Sequence, residues 1–246
     1  MAPPASRSTA TVPNHESATP ANMINRIRAR FERPEKGWDP IDPEYAARYA
    51  AGEWAKGANP ALLDEFDLWM GGLEGKTILD LGGGPGQYAV GFAKRGAIVT
   101  WHDVSHEYLA IAEAKARQHD VDLKFSLGYM DEAPEILDRQ FDLVFNRICW
   151  YYGHSDPEFA DVVYELVRPG GYAYIDTNHA EGRLQAMSRL GRARSSLNAY
   201  FAIKIGHPYP PHGRIESLFR RYAGRVRVDR RAPQSDRIWF EKAGLA

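Results

Sequence analysis

Only one cysteine, Cys149, stands among the 246 residues. A single thiol excludes an internal disulfide and a thiolate metal cluster, and it suits a reducing compartment. Long apolar runs are lacking too. None approaches the roughly 18–20 residues that span a bilayer, so the chain reads as a cytoplasmic protein with no membrane partner. Large apolar side chains are scarce in residues 1–22, which are rich in Pro, Ser, Thr and Ala. That segment buries too little surface to offset the entropy of ordering and is expected to be a disordered tail. It holds no apolar stretch of the kind a secretory signal needs. Net charge is nearly absent at −1, but the balance hides an asymmetry. Residues 1–182 carry 17 Lys/Arg and 28 Asp/Glu, whereas residues 183–246 carry 14 and 4. The basic last quarter points to an anionic substrate, to nucleic acid, or to packing against an acidic body.

What is present is 44% hydrophobic and 26% charged residues, the make-up of one sizeable globular domain, expected over 23–246. Apolar runs predict strands at 76–81, 97–102, 122–126, 141–145 and 172–176. Helical patterns intervene at 86–95, 105–118 and 157–167. Strands alternating with helices imply right-handed crossovers and a parallel sheet. Residues 225–228 and 237–241 read as a final pair of strands joined by a turn near Gln234 and Ser235. Upstream, helices are predicted at 23–36 and 61–72. Between them, Tyr45, Tyr49 and Trp54 fall near one helical face, either as core or as a lid.

The run Thr77-Ile78-Leu79-Asp80-Leu81 leads into Gly82-Gly83-Gly84-Pro85-Gly86, an acid followed by G-x-G-x-G. Glycine allows a sharp turn and lets a ligand approach the backbone with no Cβ between. The loop opens a helix, whose free N–H groups suit a polar ligand. Seventeen residues past Gly86, the next apolar run ends at Asp103, placed to accept hydrogen bonds from a ribose diol. The stretch Gly84 to Ala89 also fits the dinucleotide pattern G-x-G-x-x-(G/A). Against that, the Asp80 carboxylate repels a pyrophosphate and attracts an ammonium group, and Pro85 removes a donor from the loop.

In these residues the chain resembles the class I S-adenosylmethionine-dependent methyltransferases. The resemblance implies an α/β, Rossmann-like, doubly wound fold. Its sheet is seven-stranded and mostly parallel with an antiparallel last strand. N-terminal helices precede it. Residues 177–219 match no family motif, and their arginines (Arg183, Arg189, Arg192 and Arg194) lead to the expectation of a helical substrate cap inserted between strands five and six. The resemblance implies S-adenosyl-L-methionine as cofactor. Gly82, Gly84 and Gly86 then line its methionine side, and Asp103, followed by Val104, holds the ribose. Met130 packs on the adenine, and Asp131 accepts from its amine. Asn146 opens the loop after strand four, and Tyr151 in that loop faces the acceptor. The loop lacks an Asn-Pro-Pro-Tyr motif, which argues against adenine or glutamine amide as acceptor. Its aromatic residues suit a flat or cationic one. His154 and His179, with His207 and His212 as a further pair, are the candidate bases; no histidine spacing suggests a metal ligand set. The expected activity is methyl transfer to N or O of a small anionic or aromatic metabolite. An RNA methyltransferase and a non-catalytic cofactor-binding regulator are the alternatives, with nucleic acid disfavoured and homo-oligomerisation left open.

Overall fold

The computed structural model describes residues 23–229 and 234–244. The tail expected over 1–22 and the connection at 230–233 lie outside the described residues. Three helices come first: α1 (Met23–Phe31), α2 (Pro43–Lys56) and α3 (Pro60–Met70). The predicted helix 23–36 stops at Phe31. Pro34 starts a separate short turn at Pro34–Lys36 and Gly37 ends it with φ 82°, because proline cannot continue a helix and glycine alone adopts that turn freely. Helix α2 is started by Asp42, whose side chain accepts from the Tyr45 N–H, and by Pro43 in its first turn.

The alternating part follows as β1 (Thr77–Leu81), α4 (Gln87–Ala93), β2 (Ile98–Asp103), α5 (His106–Gln118), β3 (Leu123–Leu127), α6 (Ala133–Leu137), β4 (Phe141–Arg147), α7 (Asp156–Leu166) and β5 (Val167–Asn178). Strand β5 is much longer than predicted. Phe141 pairs with Val167, the register shifts, and Leu143 then pairs with Tyr172. Arg168-Pro169-Gly170-Gly171 is thus an irregularity inside a strand rather than a turn before one. The insertion contributes α8 (Ala180–Arg183), α9 (Arg189–Phe201) and α10 (Arg214–Phe219), and β6 (Gly224–Asp229) and β7 (Ser235–Lys242) end the chain.

The seven strands are ordered β3-β2-β1-β4-β5-β7-β6. The first five are mutually parallel, and β7 runs antiparallel to both neighbours. The chain reverses its direction of strand addition between β1 and β4, so a crevice opens beyond their carboxyl ends.

Period-2 alternation divides the side chains between two cores. Leu79, Leu81, Val144, Ala173, Ile175, Ile238 and Phe240 pack toward α6, α7 and α10. Ile78, Leu143, Phe145, Tyr174 and Trp239 pack toward α3, α4 and α5, around the buried ring of Phe66.

The insertion is tied to the body through a buried charge. Asp156, the first residue of α7, is 1% exposed and Lys204 is 0% exposed. Asp156 Oδ1 accepts from Lys204 Nζ at 3.2 Å and from Trp150 Nε1 at 3.1 Å, and its Oδ2 accepts from Asn198 Nδ2 at 3.3 Å. Helix α7's positive end faces the same carboxylate.

Candidate functional site

The glycine loop lies across the ends of β1 and β2 and is fastened at almost every residue. Gly82 N and Gly83 N donate to His102 O at 2.8 and 3.1 Å, and Gly84 N donates to Asp103 Oδ2 at 2.9 Å. Trp101 Nε1 donates to Gly84 O at 3.0 Å, and Trp54 Nε1, from α2, donates to Pro85 O at 2.9 Å. Gly82, Gly84 and Gly86 have φ of 78°, 49° and 84°. A Cβ at Gly83 would overlap the Trp101 indole, and one at Gly82 would stand 2.5 Å from Cys149 Sγ and 2.9 Å from Met130 Sδ. A Cβ at Gly84 meets no protein atom within 4 Å.

Two carboxylates border the loop along the strands, Asp80 in β1 and Asp103 at the end of β2. Asp103 is half-buried; besides Gly84 N, it accepts from Val104 N at 2.7 Å and Ser105 N at 3.1 Å through Oδ1. Burial raises its pKa despite those bonds. Asp80 is buried, and its Oδ2 has no hydrogen-bond partner among the described residues. Burial pushes Asp80 up to about 7, and repulsion from Asp103 adds to the rise.

The segment from α1 to α2 wraps the β2–β3 side. Tyr129 OH donates to Glu32 O, the Trp38 ring lies 6.0 Å from Tyr129, and Asp39 Oδ2 accepts from Ser105 Oγ and Glu107 N. Gln87 Nε2 donates to Glu53 of α2 at 3.3 Å. Together with the Trp54 bond, these contacts make the N-terminal helices a cover over the loop. Tyr45 and Tyr49 stack 6.0 Å apart on α2, and Tyr49 leans on Tyr108.

Met130 is buried beside Gly82, and Asp131 follows it. Asp131 Oδ1 accepts from His154 N at 2.9 Å, and Oδ2 lies 3.7 Å from the His154 ring. Asn146 is fully buried at the end of β4. Its Nδ2 donates to Leu81 O at 2.9 Å and to Cys149 Sγ at 3.0 Å, while its Oδ1 has no partner among the described residues. Ile148 takes φ 62°, a strained position for a β-branched residue. Trp150 is core. Tyr152 is not, being 49% exposed. Tyr151 is half-buried, its ring 4.6 Å from Tyr152 and 4.9 Å from Tyr209 of the insertion, and Tyr152 lies 4.8 Å from His207.

Comparison with known proteins agrees with this arrangement. Residues 78–171 match the methyltransferase domain family. The chain is 31% identical over 174 residues to the ubiquinone biosynthesis O-methyltransferase of Aeromonas salmonicida, covering 70% of this chain and 69% of that one. It is 33% identical over 136 residues to the enzyme of the same name from Alkalilimnicola ehrlichii, covering 54% of each. A SAM-dependent methyltransferase from Aquifex aeolicus shares the fold at a TM-score of 0.54 and 17% identity, covering 81% of this chain and 98% of that one. The chain is a class I S-adenosylmethionine-dependent methyltransferase. Its methyl donor is therefore S-adenosyl-L-methionine.

In this methyltransferase the candidate bases separate. His154 turns to Asp131 and Tyr129 on the β3 side. His179, buried at the end of β5, contacts His212 instead. His207 is the imidazole brought to the aromatic loop, and burial, with Lys204 adding to it, lowers its pKa to about 4. Part of the basic last quarter is paired: Arg220 with Glu216, Arg225 with Glu241 and Arg227 with Glu65 on α3. No helix of the described residues is long and apolar enough to cross a membrane. Sequence reasoning passed over Gly83, the one loop glycine whose Cβ would strike an indole. The signal was available, since Trp101 sits two residues before Asp103 on the adjoining strand.

Proposed function

We propose that this methyltransferase is a cytoplasmic enzyme that methylates a hydroxyl oxygen of a small aromatic acceptor held against Tyr151. The observation that carries the reading is the aromatic wall at the β4 exit, where Tyr151 and Tyr152 meet Tyr209 and His207 of the insertion. A flat acceptor stacks there with little loss of freedom on either side. The two O-methyltransferase relatives support oxygen as the nucleophile.

The residues present fit the donor. The Asp80 Oδ2 without a partner suits its α-ammonium, and Asp103 suits the ribose diol. The clear space over Gly84 admits the ligand against bare backbone. Val104, Met130 and Asp131 border the adenine end, while Gly82, Gly86 and Asn146 shape the floor. When bound, S-adenosylmethionine supplies a methyl on a sulfonium, transferable by in-line displacement. The chain's own contribution is alignment and exclusion of water. The α2 cover and the insertion close the crevice, and Tyr151 orients the acceptor ring. With its pKa near 4, neutral His207 is too weak a base to hold a proton at pH 7. It serves by directing a hydroxyl through a hydrogen bond.

Tyr151→Ala should lower kcat by about tenfold or more on a hydroxylated aromatic acceptor, found by screening such compounds. The calorimetric affinity for S-adenosylhomocysteine should stay within about twofold. Equal losses in both would remove Tyr151 from the acceptor wall.

The assignment of Asp80 carries a pH signature. Its folded pKa is raised to about 7 from a carboxylate's ordinary value, so between these values the free protein holds a proton that the ammonium-binding form must release. Affinity for S-adenosylhomocysteine should rise roughly tenfold from pH 6 to pH 8, following the ionised fraction. In Asp80→Asn that rise should vanish. A wild-type affinity that is flat across the range would detach Asp80 from the ammonium.

A further inference from the structure

We propose that His179, His212 and Asp236 form a binding site for one divalent transition-metal ion of the zinc class. The three come from separate parts of the chain: the end of β5, the return limb of the insertion and the start of β7. Each offers a ligand atom, and these atoms lie within 4.8 Å of one another. The two imidazole rings are 4.5 Å apart.

The hydrogen bonds around the group are arranged for a cation. Asp236 is buried; its Oδ2 accepts from Gly213 N at 2.7 Å and its Oδ1 lies 2.7 Å from His212 Nδ1. His179 Nδ1 accepts from Gly182 N at 3.0 Å, so that nitrogen presents a lone pair. The same nitrogen faces Glu181 Oε2 at 3.4 Å. A nitrogen that accepts a bond cannot also donate to a carboxylate, so two electron-rich atoms oppose each other here with no proton between them. A cation at the cluster resolves that opposition by taking the His179 Nδ1 lone pair in place of the Gly182 N–H.

Tetrahedral coordination at about 2.0–2.1 Å spaces ligand atoms by about 3.3 Å. The His212–Asp236 pair therefore opens slightly and His179 closes slightly, both within reach of side-chain rotation. The ion takes the place of the proton between His212 Nδ1 and Asp236 Oδ1, and the imidazole stays neutral with its proton on Nε2, exchanged through solvent at the exposed ring. Two imidazoles with one carboxylate suit zinc, cobalt or nickel, whereas magnesium and calcium prefer oxygen alone. The side chain of His212 is 51% exposed and provides the entry path. The ion would fasten the limb 207–212 to the sheet. That limb also carries His207 and Tyr209, which touch Tyr152 and Tyr151.

The test is titration of the full, tag-free chain with Zn2+ by calorimetry and with Co2+ by visible absorption. One ion per chain is expected, with ligand-field bands from Co2+ and a higher Tm in the presence of Zn2+. His212→Ala and Asp236→Asn should each weaken Zn2+ binding by about 100-fold or more and abolish the Co2+ bands, while S-adenosylhomocysteine binding confirms that the variants are folded. Should Asp236→Asn fail to fold, the exposed His212→Ala carries the comparison. Absence of Zn2+ binding by the native chain, or binding undiminished in folded His212→Ala, would overturn the proposal.

Discussion

Gly84→Val should bind S-adenosylhomocysteine about 100-fold more weakly than the native chain, or not measurably, while remaining folded. The two halves of that expectation have separate physical grounds. A Cβ at Gly84 meets no protein atom within 4 Å, so the first side-chain atom is accommodated without a clash. The backbone must hold φ 49°, which costs a non-glycine residue about 1–2 kcal/mol, a tolerable loss for a domain of this size. The side chain then occupies open space beside a loop residue whose N–H donates to Asp103, where the donor is proposed to lie. Gly83 makes the contrast. A Cβ there overlaps the Trp101 indole, and because Trp101 is wholly buried the loop and the β2 exit must move together. Gly83→Val should therefore lose stability first, and binding only as a consequence. Calorimetry on both variants, with thermal unfolding beside it, separates the two. Retained affinity in folded Gly84→Val would mean that the ligand lies elsewhere.

The contrast also shows what a linear reading can hold. The placement of the loop between β1 and α4, with Asp80 in β1 and Asp103 ending β2, was legible because it depends on spacing: strand, turn, helix, and a second strand ending in an acid. The parallel sheet was legible for the same reason, since each crossover is local. Boundaries failed where pairing overrode local signals. Pro169-Gly170-Gly171 reads as a turn, yet Val167 is already paired with Phe141 and the strand carries the irregularity within it. Tyr152 comes two residues after the core Trp150, yet at the end of the short helical turn its ring is half in solvent. Contacts between distant segments left no trace at all. Trp54 reaches Pro85 O across 31 positions, and Lys204 reaches Asp156 across 48. The histidines drew no metal expectation because His179, His212 and Asp236 have no motif spacing; only the antiparallel return of β7 beside β5 brings them together.

Lys204→Met should destabilise the enzyme by about 3–5 kcal/mol, the largest loss expected from a single side chain outside the glycine loop. Methionine fills much of the lysine's volume, so the cost is electrostatic rather than a cavity. The buried Asp156 carboxyl would be left with Trp150 Nε1, Asn198 Nδ2 and the start of α7 as its partners. For a chain of this length that corresponds to a drop in Tm of roughly 10 °C, measurable by calorimetry, with urea unfolding giving the free energy. The double variant Lys204→Met/Asp156→Leu distinguishes charge from packing. A buried ion pair often gives way to apolar residues at little cost. Here, though, removing Asp156 leaves the Trp150 and Asn198 donors buried without an acceptor, at about 1–3 kcal/mol each. The double variant should therefore recover only part of the loss. Full recovery would mean that the Trp150 and Asn198 bonds contribute nothing, and no loss in the single variant would mean that the ion pair does not anchor the insertion. Because Trp150 precedes Tyr151 directly, the single variant should also lower kcat at temperatures where it is still folded, which ties the anchoring of the insertion to the geometry of the acceptor wall.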